Sequence, residues 1–161
     1  MKKVNLLSIL FFMVVLISCE EEWKYKNYEE CSETFKIEYI LPDNWKYPDC
    51  DKTSITIINY DSDCFINIYK VDTKSPIDTT LQDEINRYNV MPNIEIIEEG
   101  YAIVSGMRAY YWVFIRETKC KEYIFVDQNN KYKINFKAIK DKDYDNNLSV
   151  FDNFIETVKI K

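Results

Sequence analysis

Apolar and polar positions alternate most cleanly over 131–139, where Tyr132, Ile134, Phe136 and Ala138 fall on one face and Lys133, Asn135 and Lys137 on the other. A period of two belongs to a strand with one buried face, and it predicts Lys131, Lys133 and Lys137 as a solvated row. Phe35, Ile37 and Tyr39 alternate with polar neighbours in the same way and predict a first strand over 35–40, stopped by Pro42, Asp43 and Asn44. Residues 44–54 read as loop, and 54–60 and 64–71 as two further strands joined through Asp61, Ser62 and Asp63. Short strands follow at 94–98 and 101–104, on either side of Gly100, with a turn at Ser105 and Gly106. The run from Ala109 to Ile115 is apolar on both alternating faces, as in a central strand covered on both sides. A strand over 121–126 and a turn over 127–130 lead into the alternating segment.

Two stretches change to a helical period. Leu81, Ile85 and Tyr88 share one face of a helix over 81–89, with Thr79 and Gln82 placed as a capping box and Pro92 limiting the far end. Leu148, Phe151, Ile155 and Val158 form the buried stripe of a last helix over 148–158, which Asn146 or Asn147 would cap. Strands, helix, a run of strands, helix: this order predicts an α+β fold on a largely antiparallel sheet.

Several of these segments resemble PsbP-like proteins. Leu41-Pro42-Asp43-Asn44-Trp45 is similar to their Pro-x-x-Trp segment after the first strand. Ser105-Gly106-Met107-Arg108-Ala109 resembles their Gly-x-x-Ala turn into a long aromatic strand. Tyr132-Lys133-Ile134-Asn135-Phe136, followed by Phe151-Asp152-Asn153-Phe154-Ile155, looks like their closing strand and helix. The resemblance runs from about Phe35 to the end. It implies the Mog1/PsbP fold, an α/β/α sandwich around an antiparallel sheet, and an accessory or binding role, with no site residue carried over. A cystatin-like or lipocalin-like sheet is the alternative; the second helix and the lack of eight even strands weigh against lipocalin.

The N-terminus adds a location. Lys2 and Lys3 precede an apolar run over 4–17, too short for the ~20 residues of a membrane-spanning helix. Leu16-Ile17-Ser18-Cys19 resembles a bacterial lipobox, with a small residue before the cleavage point. The resemblance implies a signal peptide over 1–18 and a lipid on Cys19, which holds the protein to a membrane of the cell envelope, the outer membrane above all. An acidic tether over 19–33 and one domain over 34–161 complete the expected organisation. Acyl chains on Cys19 contribute about 0.8 kcal/mol per buried CH2.

Charge narrows the partners. The chain has 21 basic and 27 acidic residues, and loss of Lys2 and Lys3 with the signal takes the net charge from −6 to −8. Such a surface repels phosphate backbones, so nucleic acid is excluded as a partner. The sequence contains no histidine, which removes the commonest general base and the Ser-His and Cys-His pairs. With Cys19 lipidated, Cys31, Cys50, Cys64 and Cys120 remain, an even number that suggests disulfides in an exported protein. Cys50 with Cys64 and Cys31 with Cys120 is the favoured pairing; buried free thiols are the alternative. Asp141, Asp143, Asp145 and Asp152 match four ligand positions of an EF-hand loop and make calcium the one cofactor to weigh, against a plain acidic helix N-terminus. The sum is a non-enzymatic, membrane-tethered binding or accessory lipoprotein with a protein partner in the envelope. The alternative is an inhibitor or immunity-type lipoprotein that neutralises a basic toxin or hydrolase, since a charge of −8 steers a cationic partner.

Overall fold

The computed structural model describes residues 28–51, 53–73, 76–128 and 130–161. Helix α1 (Tyr28–Phe35) leads into β1 (Ile37–Glu38), β2 (Lys46–Cys50), β3 (Ser54–Asn59) and β4 (Cys64–Asp72). Helix α2 (Ile77–Asn89) precedes four long strands, β5 (Glu95–Val104), β6 (Met107–Ile115), β7 (Lys119–Asp127) and β8 (Asn130–Ala138). Helix α3 (Asp141–Thr157) and the short β9 (Lys159–Ile160) close the chain. Seven strands form one antiparallel sheet in the order β2-β3-β4-β8-β7-β6-β5, and β1 pairs with β9 in a separate ribbon. The α+β class is the one the alternation predicted.

The sheet separates two cores. On one face, Ile55, Ile57, Ile66, Ile68, Ile134 and Phe136 are fully buried beneath Tyr144, Phe151, Phe154 and Ile155 of α3. Phe136 is the hub, with ring centroids 5.1 Å from Tyr144 and 5.2 Å from Phe151. On the other face, Leu81 and Tyr88 of α2 cover Tyr110, Trp112, Phe114, Ile124 and Val126. The both-sided apolar run of β6 follows from this: Ala109 and Val113 belong to the first core, Tyr110, Trp112 and Phe114 to the second. Each such side chain contributes roughly 1.5–3 kcal/mol by leaving water.

Several boundaries differ from the sequence reading, each for a local reason. The expected acidic tether over 19–33 runs from Tyr28 into helix α1, whose Cys31, Ser32 and Phe35 are buried, so the folded part begins before residue 34. The first strand shrinks to Ile37–Glu38, because Lys36 has a left-handed φ of 56° and turns the chain out of α1. The expected loop over 44–54 contains β2. Helix α2 starts at Ile77 behind Pro76, which places Thr79 inside the helix and leaves the capping box unformed. Helix α3 starts at Asp141, so Asn146 and Asn147 lie within it rather than at its cap.

Gly100 does not divide β5. The strand runs through it because the Tyr111 ring of β6 lies across it: a Cβ there would meet ring atoms at 3.1–3.3 Å. The hydroxyl of Tyr111 donates to Glu98 Oε1 at 2.8 Å, and that bond, followed by burial, pushes its titration up. Gly100→Ala is expected to displace the ring, break this bond and cost about 1–2 kcal/mol in urea denaturation. The Tyr111 hydroxyl would titrate lower in the variant, which ultraviolet pH titration reads.

Candidate functional site

The sequence-predicted site residues do not gather. Cys19 lies outside the described residues. Cys31 is bonded to Cys50, with Cα atoms 6.1 Å apart, while Cys64 and Cys120 are free, which corrects both expected pairs. Register gives the reason. Cys50 pairs with Ile55 at one end of β3, and Cys64 with Asn59 at the other. Four residues of strand separate those positions, about 13 Å. Cys31 packs in the α3-side core, whereas Cys120 packs in the α2-side core across the sheet. Burial pushes both free thiols above their ordinary range, so neither is a poised nucleophile.

The EF-hand expectation is corrected in the same way. Asp141, Asp143, Asp145 and Asp152 lie along the helix α3 instead of around a loop. Asp145 accepts from Lys119 at 3.0 Å and Asp152 from Lys121 at 2.7 Å, both on β7. Asp141 and Asp143 occupy the first turn, where carboxylates complement the helix dipole. Among the described residues, no three or more His, Cys, Asp or Glu side chains converge to hold a metal ion. None of the described helices is long and apolar enough to cross a membrane.

In the lysine row of β8, Lys137 is exposed as alternation suggests, but Lys131 and Lys133 are not solvated. Lys131 donates to Glu84 Oε1 at 2.7 Å, Lys133 lies 2.8 Å from Glu84 Oε2, and Arg87 donates to that oxygen at 2.6 Å. Beside them Glu122, 4% exposed, accepts from the Tyr88 hydroxyl at 2.5 Å and faces Lys133 at 3.6 Å. Burial alone would raise the Glu84 carboxyl; hydrogen bonds from Lys131 and Lys133 offset that and hold it at about 2. Burial, then the Glu122 charge, pushes the Tyr88 phenol up. This network clamps α2 to the sheet. Its members are satisfied by one another, which marks a structural joint rather than a reaction centre.

An open feature lies on the other flank of α2. Leu81, Gln82 and Ile85 of the helix, Tyr101 of β5 and Arg108 of β6 line a groove of about 220 Å³. The Arg108 guanidinium stacks over the Tyr101 ring at 4.0 Å, and Tyr101 meets Tyr110 edge-on at 5.0 Å. The Tyr110 hydroxyl donates to Glu99 Oε2 at 2.7 Å. Tyr101 is 55% exposed, Ile103 70% and Ile97 51%. The groove therefore borders an edge strand with large apolar side chains in water, and an arginine and an aromatic ring ready for contact, the residue types that dominate binding energy. Sequence reading passed over this place, although one signal was available: β5 carries Glu95, Glu98 and Glu99 and not one basic residue.

No family model and no curated protein matches the chain. Solved structures do. PsbP (CyanoP) of Synechocystis sp. PCC 6803 is similar at a TM-score of 0.55 and 11% identity, over 85% of this chain and 91% of its own. LpqN of Mycobacterium tuberculosis, involved in cell envelope biogenesis, is similar at 0.58 and 14%, over 78% of this chain and 83% of its own. The Ran-binding protein Mog1p of Saccharomyces cerevisiae is similar at 0.55 and 10%, over 84% and 93%. At these identities the likeness establishes the fold: the chain has the PsbP/Mog1-like architecture expected from its motifs.

Proposed function

We propose that this chain is a non-enzymatic binding or accessory protein of the cell envelope, tethered through a lipid on Cys19, and that it receives a protein partner at the groove between α2 and β5. The observation that carries the reading is the groove itself, with Arg108 stacked on Tyr101 beside the exposed Ile97 and Ile103. The lipobox-like Leu16-Ile17-Ser18-Cys19 supports the tether. Ran binding by Mog1p and the envelope role of LpqN support a protein partner and an envelope setting for this fold. The inhibitor or immunity reading keeps one specific support, the three glutamates of β5, which suit a basic toxin or hydrolase.

Cross-linked capture from native membranes tests the proposal, using tagged protein as wild type, Cys19→Ala, and Tyr101→Ala with Arg108→Ala. One stoichiometric envelope partner is expected with wild type, reduced at least tenfold by the groove variant and by loss of the tether. A partner indifferent to the groove variant would move the site elsewhere; no partner at all would sink the accessory reading. A secreted basic protein as the partner would favour the inhibitor.

A further inference from the structure

The free edge of β5 has a defined polarity that follows from its hairpin. Ser105 and Gly106, with φ of 53° and 76°, form the two-residue turn between β5 and β6. Val104 and Met107 are therefore the hydrogen-bonded pair that closes the hairpin, and the pairs alternate from there. Ala102 and Gly100 direct their backbone groups inward to Ala109 and Tyr111. Glu99, Tyr101 and Ile103 direct theirs outward, where no strand follows among the described residues. The side chains of these same three residues lie on the α2 face, since their partners are Trp112, Tyr110 and Arg108. The open donors and acceptors and the groove thus belong to one surface.

Sheet edges are ordinarily blunted by lysine, proline, a bulge or a short strand. The opposite edge, β2, is short and its register breaks between Lys46 and Asp49. β5 is ten residues long and has neither lysine nor proline. Its one irregularity lies between Ile96 and Glu98, which leaves 98–104 regular. Glu95, Glu98 and Glu99 sit at one end of the strand; Ile103 and Arg108 lie at the other. Two copies of β5 paired in parallel would set each carboxylate beside its counterpart, which disfavours parallel self-pairing.

We propose that β5 is a strand-addition edge, and that its occupant is an extended segment of a protein partner, basic where it passes Glu98 and Glu99 and apolar where it passes Tyr101 and Ile103. Main-chain hydrogen bonds to Glu99, Tyr101 and Ile103 would supply affinity. The groove lined by Leu81, Ile85 and Tyr101 would select one apolar side chain, and the carboxylates would set the register. This rests on the reading of the groove as a partner site and specifies how that partner binds.

The test uses the folded chain without its signal segment and three capped ten-residue peptides. One has a lysine-rich half followed by a valine-rich half, one carries glutamate in place of each lysine, and one is the lysine peptide N-methylated at every second residue. The lysine peptide is expected to bind at least tenfold more tightly than the other two. It should slow amide exchange at Glu99, Tyr101 and Ile103 at least tenfold. Ile103→Pro removes one outward N–H that the fold does not use, and proline is tolerated on an edge. Its amide spectrum reports folding, and it should lose at least tenfold in affinity. Equal binding of the N-methylated or the acidic peptide would overturn strand addition or its charge preference, as would protection confined to other elements. A concentration-dependent dimer abolished by Ile103→Pro would assign the edge to a second copy and overturn the proposal. An envelope partner that Ile103→Pro still captures, but the groove variant does not, would overturn strand addition while leaving the proposed function intact.

Discussion

Lys133→Ala is expected to lower the free energy of unfolding by about 3 kcal/mol at pH 7, the scale set by breaking a buried ion pair. Among the described residues Lys133 is the one cation that reaches both carboxylates, 2.8 Å from Glu84 and 3.6 Å from Glu122, and it lies 5.2 Å from the Tyr88 ring centroid. Its removal leaves Glu84 to Lys131 and Arg87. Glu122, almost without solvent, is left to one phenol hydroxyl. The cost is mostly that of the stranded Glu122 charge, so Glu122→Gln in the same chain should restore more than half of it. The amide oxygen still accepts from Tyr88 while the charge is gone. Urea denaturation of the two single variants and the double measures the coupling. Strict additivity within ~0.5 kcal/mol would mean that the cost is not that of a stranded Glu122 charge.

The same joint makes stability depend on pH. Glu84 has its carboxyl at about 2 against an ordinary 4.5. A lowered carboxyl contributes its stability above the unfolded value and loses it as pH falls toward the folded one. The contribution is on the order of 3 kcal/mol, lost between about pH 4.5 and 2. In Glu84→Gln that acid limb should flatten. Since α2 forms one wall of the groove, loosening the joint should also weaken any binding there without touching a groove residue.

How far the sequence reaches is visible in these elements. The period of β8 and the two-sided apolar run of β6 were legible because a strand's burial pattern is local. Helix α3 was legible through Leu148, Phe151 and Ile155; its first two turns were not, because Tyr144 alone continues the stripe among the acidic residues. Helix α1 has Tyr28, Cys31 and Phe35 at helical spacing, but its acidic neighbours made it read as tether. What alternation cannot report is the far partner. Lys131 and Lys133 alternate like solvated residues, yet they face Glu84 from 47 and 49 positions away. Cysteine pairing fails for a related reason: which side of the sheet each thiol occupies depends on register across several strands. The open edge was hidden because an edge is a property of strand order, and order is set by β4 joining β8 rather than β5.

Loss of the Cys31–Cys50 bond should be the costliest change away from the joint. The bridge closes a loop of 19 residues, and restricting such a loop in the unfolded chain is worth about 3 kcal/mol. Cys50→Ala is therefore expected to lower the free energy of unfolding in urea by that amount. Peptide mapping without reductant should show one Cys31–Cys50 linkage and alkylatable Cys64 and Cys120. The loss would be uneven. An eight-residue helix is not stable alone, and β2 is a short edge strand, so amides of α1 and β2 should lose exchange protection before those of β6, β7 and β8. Uniform loss across the sheet would show that α1 is held by Phe35 and Ile37 rather than by the bridge. The bridge also fixes where the N-terminal helix meets the sheet. Cys31 is held at β2, and six strand spacings of about 4.8 Å put β5 about 29 Å away on the opposite edge of the sheet. With the proposed tether, a chain fastened at the β2 side would carry its open edge on the far side from the bridge. Without the bridge that separation is no longer enforced, so Cys50→Ala should alter capture by a membrane-bound partner more than binding of a free peptide to the same edge.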